Sequence, residues 1–385
     1  MGDDTISVSI KKCTNYNYEN VKKAVEQCFD NLGGIEKYIK KGEKVLLKSN
    51  LVMRKEPKEA ATTHPAVIAA IAEILVDYGA YVEIGDSPGG PFNEVLLKSI
   101  YKHTGMESAA RKSGAKLSFD TTSKTVKNPD GVKLKELTIT NMVLKADKVI
   151  SVGKLKTHCM TRMTGAVKNM FGAVPGTKKT EYHFNCQDIE SFSNCLCDIC
   201  SFVNPVLSFL DAVTGMEGNG PTAGKPRHIG LIMAGNNPFE LDMGAAKVIN
   251  TPPEEIPLLK CAMDRKLCSG DLSKTEFFGE PLNDCIIKDF AVPENKSVHF
   301  FGKNTPKFVL DFASTHIYPH PIFTKKCVGC GICAESCPAK IIKIKNKKAK
   351  ADLRKCIHCF CCQELCPQKA VKIKRPVILK LMSKL

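Results

Sequence analysis

Cys327-Val-Gly-Cys330-Gly-Ile-Cys333-Ala-Glu-Ser-Cys337-Pro338 returns 29 residues later as Cys356-Ile-His-Cys359-Phe-Cys-Cys362-Gln-Glu-Leu-Cys366-Pro367. The flanks repeat as well, Ala339-Lys-Ile-Ile-Lys-Ile344 aligning with Gln368-Lys-Ala-Val-Lys-Ile373. Self-similarity at a fixed period marks one small unit built twice. Nine of the 19 cysteines of the 385-residue chain lie here. From Pro321 onward there are 16 Lys and Arg against three Asp and Glu, whereas the first 320 residues hold 40 against 37. Repeat, cysteine and charge agree on a boundary near residue 320. The reading is therefore two domains, 1–320 and 321–385, within what this length allows.

The ligand spacing Cys-x2-Cys-x2-Cys-x3-Cys-Pro is that of two-cluster bacterial ferredoxins. Two-residue gaps let three thiolates converge on one face of a cube, and the Cys-Pro turn sends the fourth cysteine to the other repeat. Cluster one is then expected on Cys327, Cys330, Cys333 and Cys366, and cluster two on Cys356, Cys359, Cys362 and Cys337. The competing reading is a pair of structural zinc sites, which rarely combine three cysteines at this spacing with Cys-Pro and a duplication. Cys361 is a ninth thiol read as a buried spare. Two oxidised 4Fe-4S sites with their thiolates lower the charge of the tail from +13 to about +9, so it stays basic. A basic surface attracts an acidic redox donor, such as a soluble ferredoxin or flavodoxin. Nucleic acid is a poorer fit, because Lys345-Asn-Lys-Lys-Ala-Lys350 reads as a hairpin tip without interleaved aromatics. The ending Arg375–Leu385 is read as packing on the main domain in preference to touching a membrane surface.

Composition restricts the class further. With 43% hydrophobic and 25% charged residues, the chain is not a disordered one. No run approaches the ~20 apolar residues of a membrane-spanning helix; the best candidate, 67–76, carries Glu73. The start, Met-Gly-Asp-Asp, is acidic and has no apolar core behind it, so no secretory signal is expected. A soluble cytoplasmic protein with reduced thiols follows as the expectation.

Over the first 320 residues, strand-like runs at 6–10, 45–47, 81–84, 149–152, 206–210 and 229–233 alternate with helical patterns at 21–29, 65–76, 93–101, 188–203 and 240–249. That alternation predicts an α/β domain on a largely parallel sheet, followed by a small α+β ferredoxin-like domain. Five of the runs end in polar groups with Gly or Pro: Ser49-Asn50; Gly85-Asp86-Ser87-Pro88; Gly153-Lys154-Leu155-Lys156-Thr157-His158; Asp211 with Gly215; and Gly235-Asn236-Asn237-Pro238. Ligands of open α/β sheets bind beyond the carboxyl ends of the strands. Each loop alone is equally an ordinary strand-to-helix turn, but five together point to a small-molecule site there. Lys154, Lys156 and Lys168 suit an anionic group, with Asn50 and Asp211 beside them. His158 and Asp86 are the acid/base candidates, against helix capping for Asp86 and Asp211 and a solvated basic loop for the lysines.

Nucleotide signatures fail. In Gly218-Asn-Gly220-Pro-Thr-Ala-Gly224-Lys225-Pro226 the spacing is wrong and Pro226 replaces the hydroxyl that would hold magnesium. No Gly-x-Gly-x-x-Gly opens a helix after the first strands. No motif demands a flavin or other organic cofactor. Cys186, Cys195, Cys197 and Cys200 are read as buried thiols by default, with a third metal centre as the alternative.

Thr62-Thr63-His64-Pro65, Gly85-Asp86-Ser87-Pro88-Gly89-Gly90, Lys154-Leu155-Lys156-Thr157-His158 and Gly165-Ala-Val-Lys168-Asn169-Met-Phe-Gly172 resemble the family catalogued as domain of unknown function 362, over about residues 40–250. The resemblance implies an iron–sulfur redox protein, frequent in anaerobes, with a C-terminal two-cluster ferredoxin domain and no settled reaction. The preferred expectation is a reductase passing electrons from two clusters to a small anionic or conjugated substrate. The alternatives are a non-enzymatic electron carrier or adaptor, and an iron–sulfur or metal-delivery protein.

Overall fold

The computed structural model describes residues 5–176, 178–293 and 305–375. In chain order its strands are β1 (Ser7–Lys12), β2 (Lys44–Lys48), β3 (Tyr81–Gly85), β4 (Lys116–Leu117), β5 (Ser123–Lys127), β6 (Glu136–Thr140), β7 (Lys148–His158), β8 (Arg162–Thr164), β9 (Leu207–Glu217), β10 (Lys225–Gly235), β11 (Glu276–Gly279), β12 (His320–Phe323), β13 (Ile342–Lys345), β14 (Lys348–Ala351) and β15 (Val371–Lys374). Among the described residues one large sheet runs β11-β1-β10-β9-β7-β2-β3-β4, with β8 hairpinned onto β7. The β9-β7-β2-β3-β4 stretch is parallel throughout, and β10 is antiparallel to both β1 and β9.

Helices cover both faces. The helix Pro65–Tyr78 starts where expected: Pro65 takes the first helical position, the His64 ring accepts from Ala66 N–H, and Gly79 ends it at φ +105°. It packs with helix Tyr18–Asn31 and helix Met106–Ser113 on one face, around Val21, Phe29, Ile68 and Ile71. On the other face, helices Ile189–Val203, Pro238–Val248 and Pro257–Asp264 form a second core with Phe192, Leu196 and Leu259.

Two strands are longer than their apolar runs. β7 does not stop at Val152; Gly153 to His158 continue it as strand, and Lys154, Lys156 and His158 are buried. β9 likewise runs past Leu210, so Asp211 lies within the sheet. The solvated-loop reading of these lysines is therefore wrong. The polar residues stay in the strand because each has a partner waiting in the fold, which a one-dimensional pattern does not display.

The C-terminal part is small and built twice. β12 pairs antiparallel with β15, and β13 with β14. The β13–β14 turn is Asn346-Lys347 with φ of 49° and 57°, the hairpin tip expected from the lysine-rich run. Residues 376–385, most of the basic ending, lie outside the described residues.

Candidate functional site

Two small cavities sit in the C-terminal part. Cys327, Cys330, Cys333 and Cys366 line one, and Cys337, Cys356, Cys359 and Cys362 line the other. Each draws three thiols from one repeat and one from the other. Gly329 and Gly331 have φ of +70° and +85°, and His358 and Phe360, at the equivalent places of the second repeat, have +54° and +60°. The left-handed turns wrap the chain around each cavity. At Gly329 a Cβ would come within 2.7 Å of Lys347 backbone, so only glycine fits. Backbone N–H groups of Ala349, His358 and Ala370 point at the sulfurs of Cys327, Cys356 and Cys366 at 3.4, 3.4 and 3.2 Å, as thiolates require. Among the described residues no three His, Cys, Asp or Glu side chains converge closely enough for a single metal ion. Four thiols per cavity as the metal-ligating side chains, too far apart to converge on one ion, suit a 4Fe-4S cube better than zinc.

A third cavity, of about 70 Å³, lies beyond the carboxyl ends of β2, β3 and β7 and has the one-turn helix Cys361–Glu364 in its wall. Lys48, Asn50, Asp86, Lys156 and Lys168 line it together with Ser87, Thr164, Asn169, Phe171, Lys179, His183, Cys361, Glu364 and Leu365. Asn50 Nδ2 donates to Asn169 Oδ1 (3.2 Å), whose own amide donates to Lys48 O (2.9 Å) and Ser151 Oγ (3.1 Å). Lys48 is ion-paired with Asp86 at 2.6 Å, and Asp86 also accepts Leu51 N–H at 2.7 Å. Asp86 is thus a buried counter-ion. Lys156 Nζ donates to Asn50 Oδ1 at 2.7 Å and to Ala61 O. Lys179 Nζ donates to Ser87 O and Val174 O at 2.6 and 2.7 Å.

Lys168 differs: it forms no ion pair or hydrogen bond among the described residues and sits 5.7 Å from the Phe171 ring centre. Among the described residues Thr164 Oγ1 and His183 Nδ1 are also buried without a hydrogen-bond partner. Buried polar groups left this way ask for a ligand. Burial lowers Lys156 and Lys179 to about 7, against the attraction of Glu364 and Asp86 respectively. Burial also lowers Lys168, opposed by Glu364.

His158 reaches the site through Glu364. Its Nδ1 accepts from Met160 and Thr161 N–H at 3.0 and 3.2 Å, so Nε2 carries the proton and faces Glu364 Oε2 at 3.6 Å. Burial, with Lys168 adding to it, lowers His158 to about 4. For Glu364 burial alone would raise the carboxyl, but the His158 N–H and the Lys168 charge outweigh it and hold it far below the usual range.

Lys154 and Asp211 are not brought to this cavity. They pair with each other at 2.8 Å, and Asp211 also accepts from Tyr16 OH and His64 N–H, both at 2.8 Å. The fifth strand end is spent on capping, since Asn237 Oδ1 accepts from Phe239 and Glu240 N–H. Missed by the sequence reading were Lys179, Thr164, His183 and Glu364. Asn169 and Phe171 stood within the quoted Gly165–Gly172 motif, which was the signal for them. Nothing local to Glu364 or Cys361 tied them to a strand end some 200 residues earlier.

Comparison with known proteins matches two stretches of the chain. A 4Fe-4S dicluster domain matches residues 326–370, so the C-terminal part is an iron–sulfur electron-transfer module. A thylakoid-associated protein of Synechocystis sp. is 28% identical over 302 residues, covering 75% of this chain and 88% of that protein. Among solved structures, the lactate racemase apoprotein of Thermoanaerobacterium thermosaccharolyticum is similar with 12% identity and a TM-score of 0.36, over 61% of this chain and 55% of that one. A Thermotoga maritima protein follows with 10% identity and 0.34, over 59% and 57%. The chain spans little more than half the length of either structure. Residues 45–247, more than half of the chain, match the family described as a domain of unknown function, number 362, and the chain belongs to that family.

Proposed function

We propose that this chain is a ferredoxin-type reductase, an α/β domain over 1–320 holding a small anionic substrate against a two-cluster domain over 321–385. The observation that carries the reading is the helix Cys361–Glu364. Cys362 lines one four-cysteine cavity, while Cys361 and Glu364 of the same turn line the lysine-rich pocket. One peptide unit, about 3.8 Å between Cα atoms, separates the two roles. Cys327, Cys330, Cys333 and Cys366 would hold one cluster and Cys356, Cys359, Cys362 and Cys337 the other; bound there, the clusters supply single electrons.

The remaining residues have separable tasks. Lys168, Thr164 and His183 offer the unmatched polar groups for a carboxylate or phosphate. Lys156, lowered to about 7, is the proton donor at the pocket wall, and His158 Nε2–H stands 3.6 Å from Glu364 as a favourable dipole. Phe171 and Leu365 exclude water. An acidic electron donor suits the basic C-terminal surface, and reduced thiols suit a cytoplasmic site; no described helix is long and apolar enough to cross a membrane.

The test is a screen of small carboxylates and phosphates for anaerobic reoxidation of dithionite-reduced protein, followed by cluster absorbance. The expected result is fast reoxidation by one chemical class, lost in Lys168→Met at unchanged iron content. Reoxidation equally fast in that variant would remove the pocket from the reaction. Failure of every anion would leave an electron carrier instead of an enzyme.

A further inference from the structure

The four cysteines that sequence places near one helix are separated by the structure. Cys195 interacts electrostatically with Cys186, whereas Cys197 on the helix Ile189–Val203 donates to Cys261 Sγ on the helix Pro257–Asp264 at 3.8 Å. Cys261 differs from the other core thiols in lining a cleft. That cleft, of about 440 Å³, is separate from the lysine pocket and is lined also by His358 and Phe360 of the dicluster domain. Cys197 lies behind Cys261, fully buried and away from the cleft wall. Closing from 3.8 Å to the disulfide length needs the two sulfurs to move roughly 1.8 Å toward each other.

The surroundings set the chemistry. The Cys197 S–H lowers the Cys261 thiol, burial works against it, and the Arg265 guanidinium adds to the lowering. The outer thiol is therefore the better thiolate and the inner one the proton donor. The cleft is lined by Lys260 and Arg265 and by Glu190, Glu254, Glu255 and Asp264, with Arg265 also paired to Asp198 at 2.8 Å; Lys260 suits a carboxylate and the acids suit ammonium groups.

We propose that Cys261 and Cys197 are a dithiol–disulfide redox pair that exchanges with a small zwitterionic disulfide entering this cleft. The Cys261 thiolate attacks one sulfur of the disulfide, forming a mixed disulfide and releasing one thiolate, which takes up a proton. Cys197, giving up its proton, then attacks Cys261 sulfur and releases the second thiol. In sum, two protein S–H bonds and one substrate S–S bond become one protein S–S bond and two substrate S–H bonds. The protein dithiol is oxidised by two electrons and the disulfide is reduced by two.

The pair does not rest on the lysine pocket, and its test does not use reductase activity. Iron-loaded protein is incubated anaerobically with oxidised glutathione, quenched in acid, unfolded, alkylated and mapped by mass spectrometry, with iron content measured alongside. The expected result is a peptide joining Cys197 to Cys261 that disappears with dithiothreitol. Cys197→Ser should trap glutathione on Cys261, and Cys261→Ser should leave Cys197 unmodified. A fully alkylated Cys261 in wild type, or glutathione on other thiols with no such linkage, would overturn the proposal.

Discussion

Lys48 and Lys168 line the same pocket, yet their neighbours give them different energetics. Lys48 neutralises Asp86 at 2.6 Å with both side chains nearly sealed from water. Lys48→Met would strand that carboxylate, and breaking a buried pair costs about 3–5 kcal/mol. Lys168 neutralises nothing at ion-pair distance among the described residues, so Lys168→Met removes a desolvated charge, loses only its longer-range attraction for Glu364, and costs less stability than Lys48→Met. Apparent melting temperatures of the iron-loaded variants check this: a clearly larger fall for Lys48→Met than for Lys168→Met. For an anionic ligand the order reverses. Losing one charge-assisted hydrogen bond of about 1.5–3 kcal/mol weakens binding by about 10- to 150-fold in Lys168→Met, as calorimetry would show. The same pocket titrates near neutrality. Lys156 and Lys179, lowered to about 7 by burial, lose positive charge as pH rises through that value. Anion affinity should therefore be higher at pH 6 than at pH 8, and Lys156→Met should flatten the profile.

The helix Cys361–Glu364 has one turn in which to serve both domains. Thr222 Oγ1 donates to Glu364 O at 2.8 Å and Gln363 Nε2 donates to Asn219 O at 3.0 Å, tying it to the α/β domain. Leu365 approaches so closely that a Cβ at Gly89 would stand 2.6 Å from it. Neighbouring cysteines on this turn should behave differently. Cys362→Ala removes a cavity-lining thiol and is expected to lower iron from about eight per chain toward about four. Cys361→Ala, on the pocket side, should keep the full complement. Iron and acid-labile sulfide assays decide it; equal loss in both would refute the assignment of ligands. At this scale β7 teaches a related lesson. Its Lys154–His158 segment reads as a loop because lysine and histidine rarely sit inside a buried strand. It is a strand because Asp211, Asn50 and the Met160–Thr161 amides lie in place to receive them.

Across the whole molecule the charge is uneven, with most of the net +16 carried after residue 320. If that basic end receives an acidic donor, attraction acts over the screening length, about 8 Å at physiological salt and about 3 Å at 1 M. Stopped-flow reduction by an acidic flavodoxin-type donor should slow as salt rises, while reduction by uncharged small reductants should not. A rate indifferent to salt would remove the electrostatic docking.

What this chain reveals in one dimension is whatever is written locally. The cysteine repeat names its own cofactor because ligand spacing is a short-range property, and the strand and helix runs declare an α/β domain because burial imposes a period along the chain. Only the tertiary structure decided which polar strand ends meet. It sent Lys154 and Asp211 to each other, placed Asn50, Asp86, Lys156 and Lys168 around one pocket, and supplied Glu364 from the far domain. The reason is that a buried charge is tolerated only where a partner stands, and those partners lie scores to hundreds of residues away along the chain.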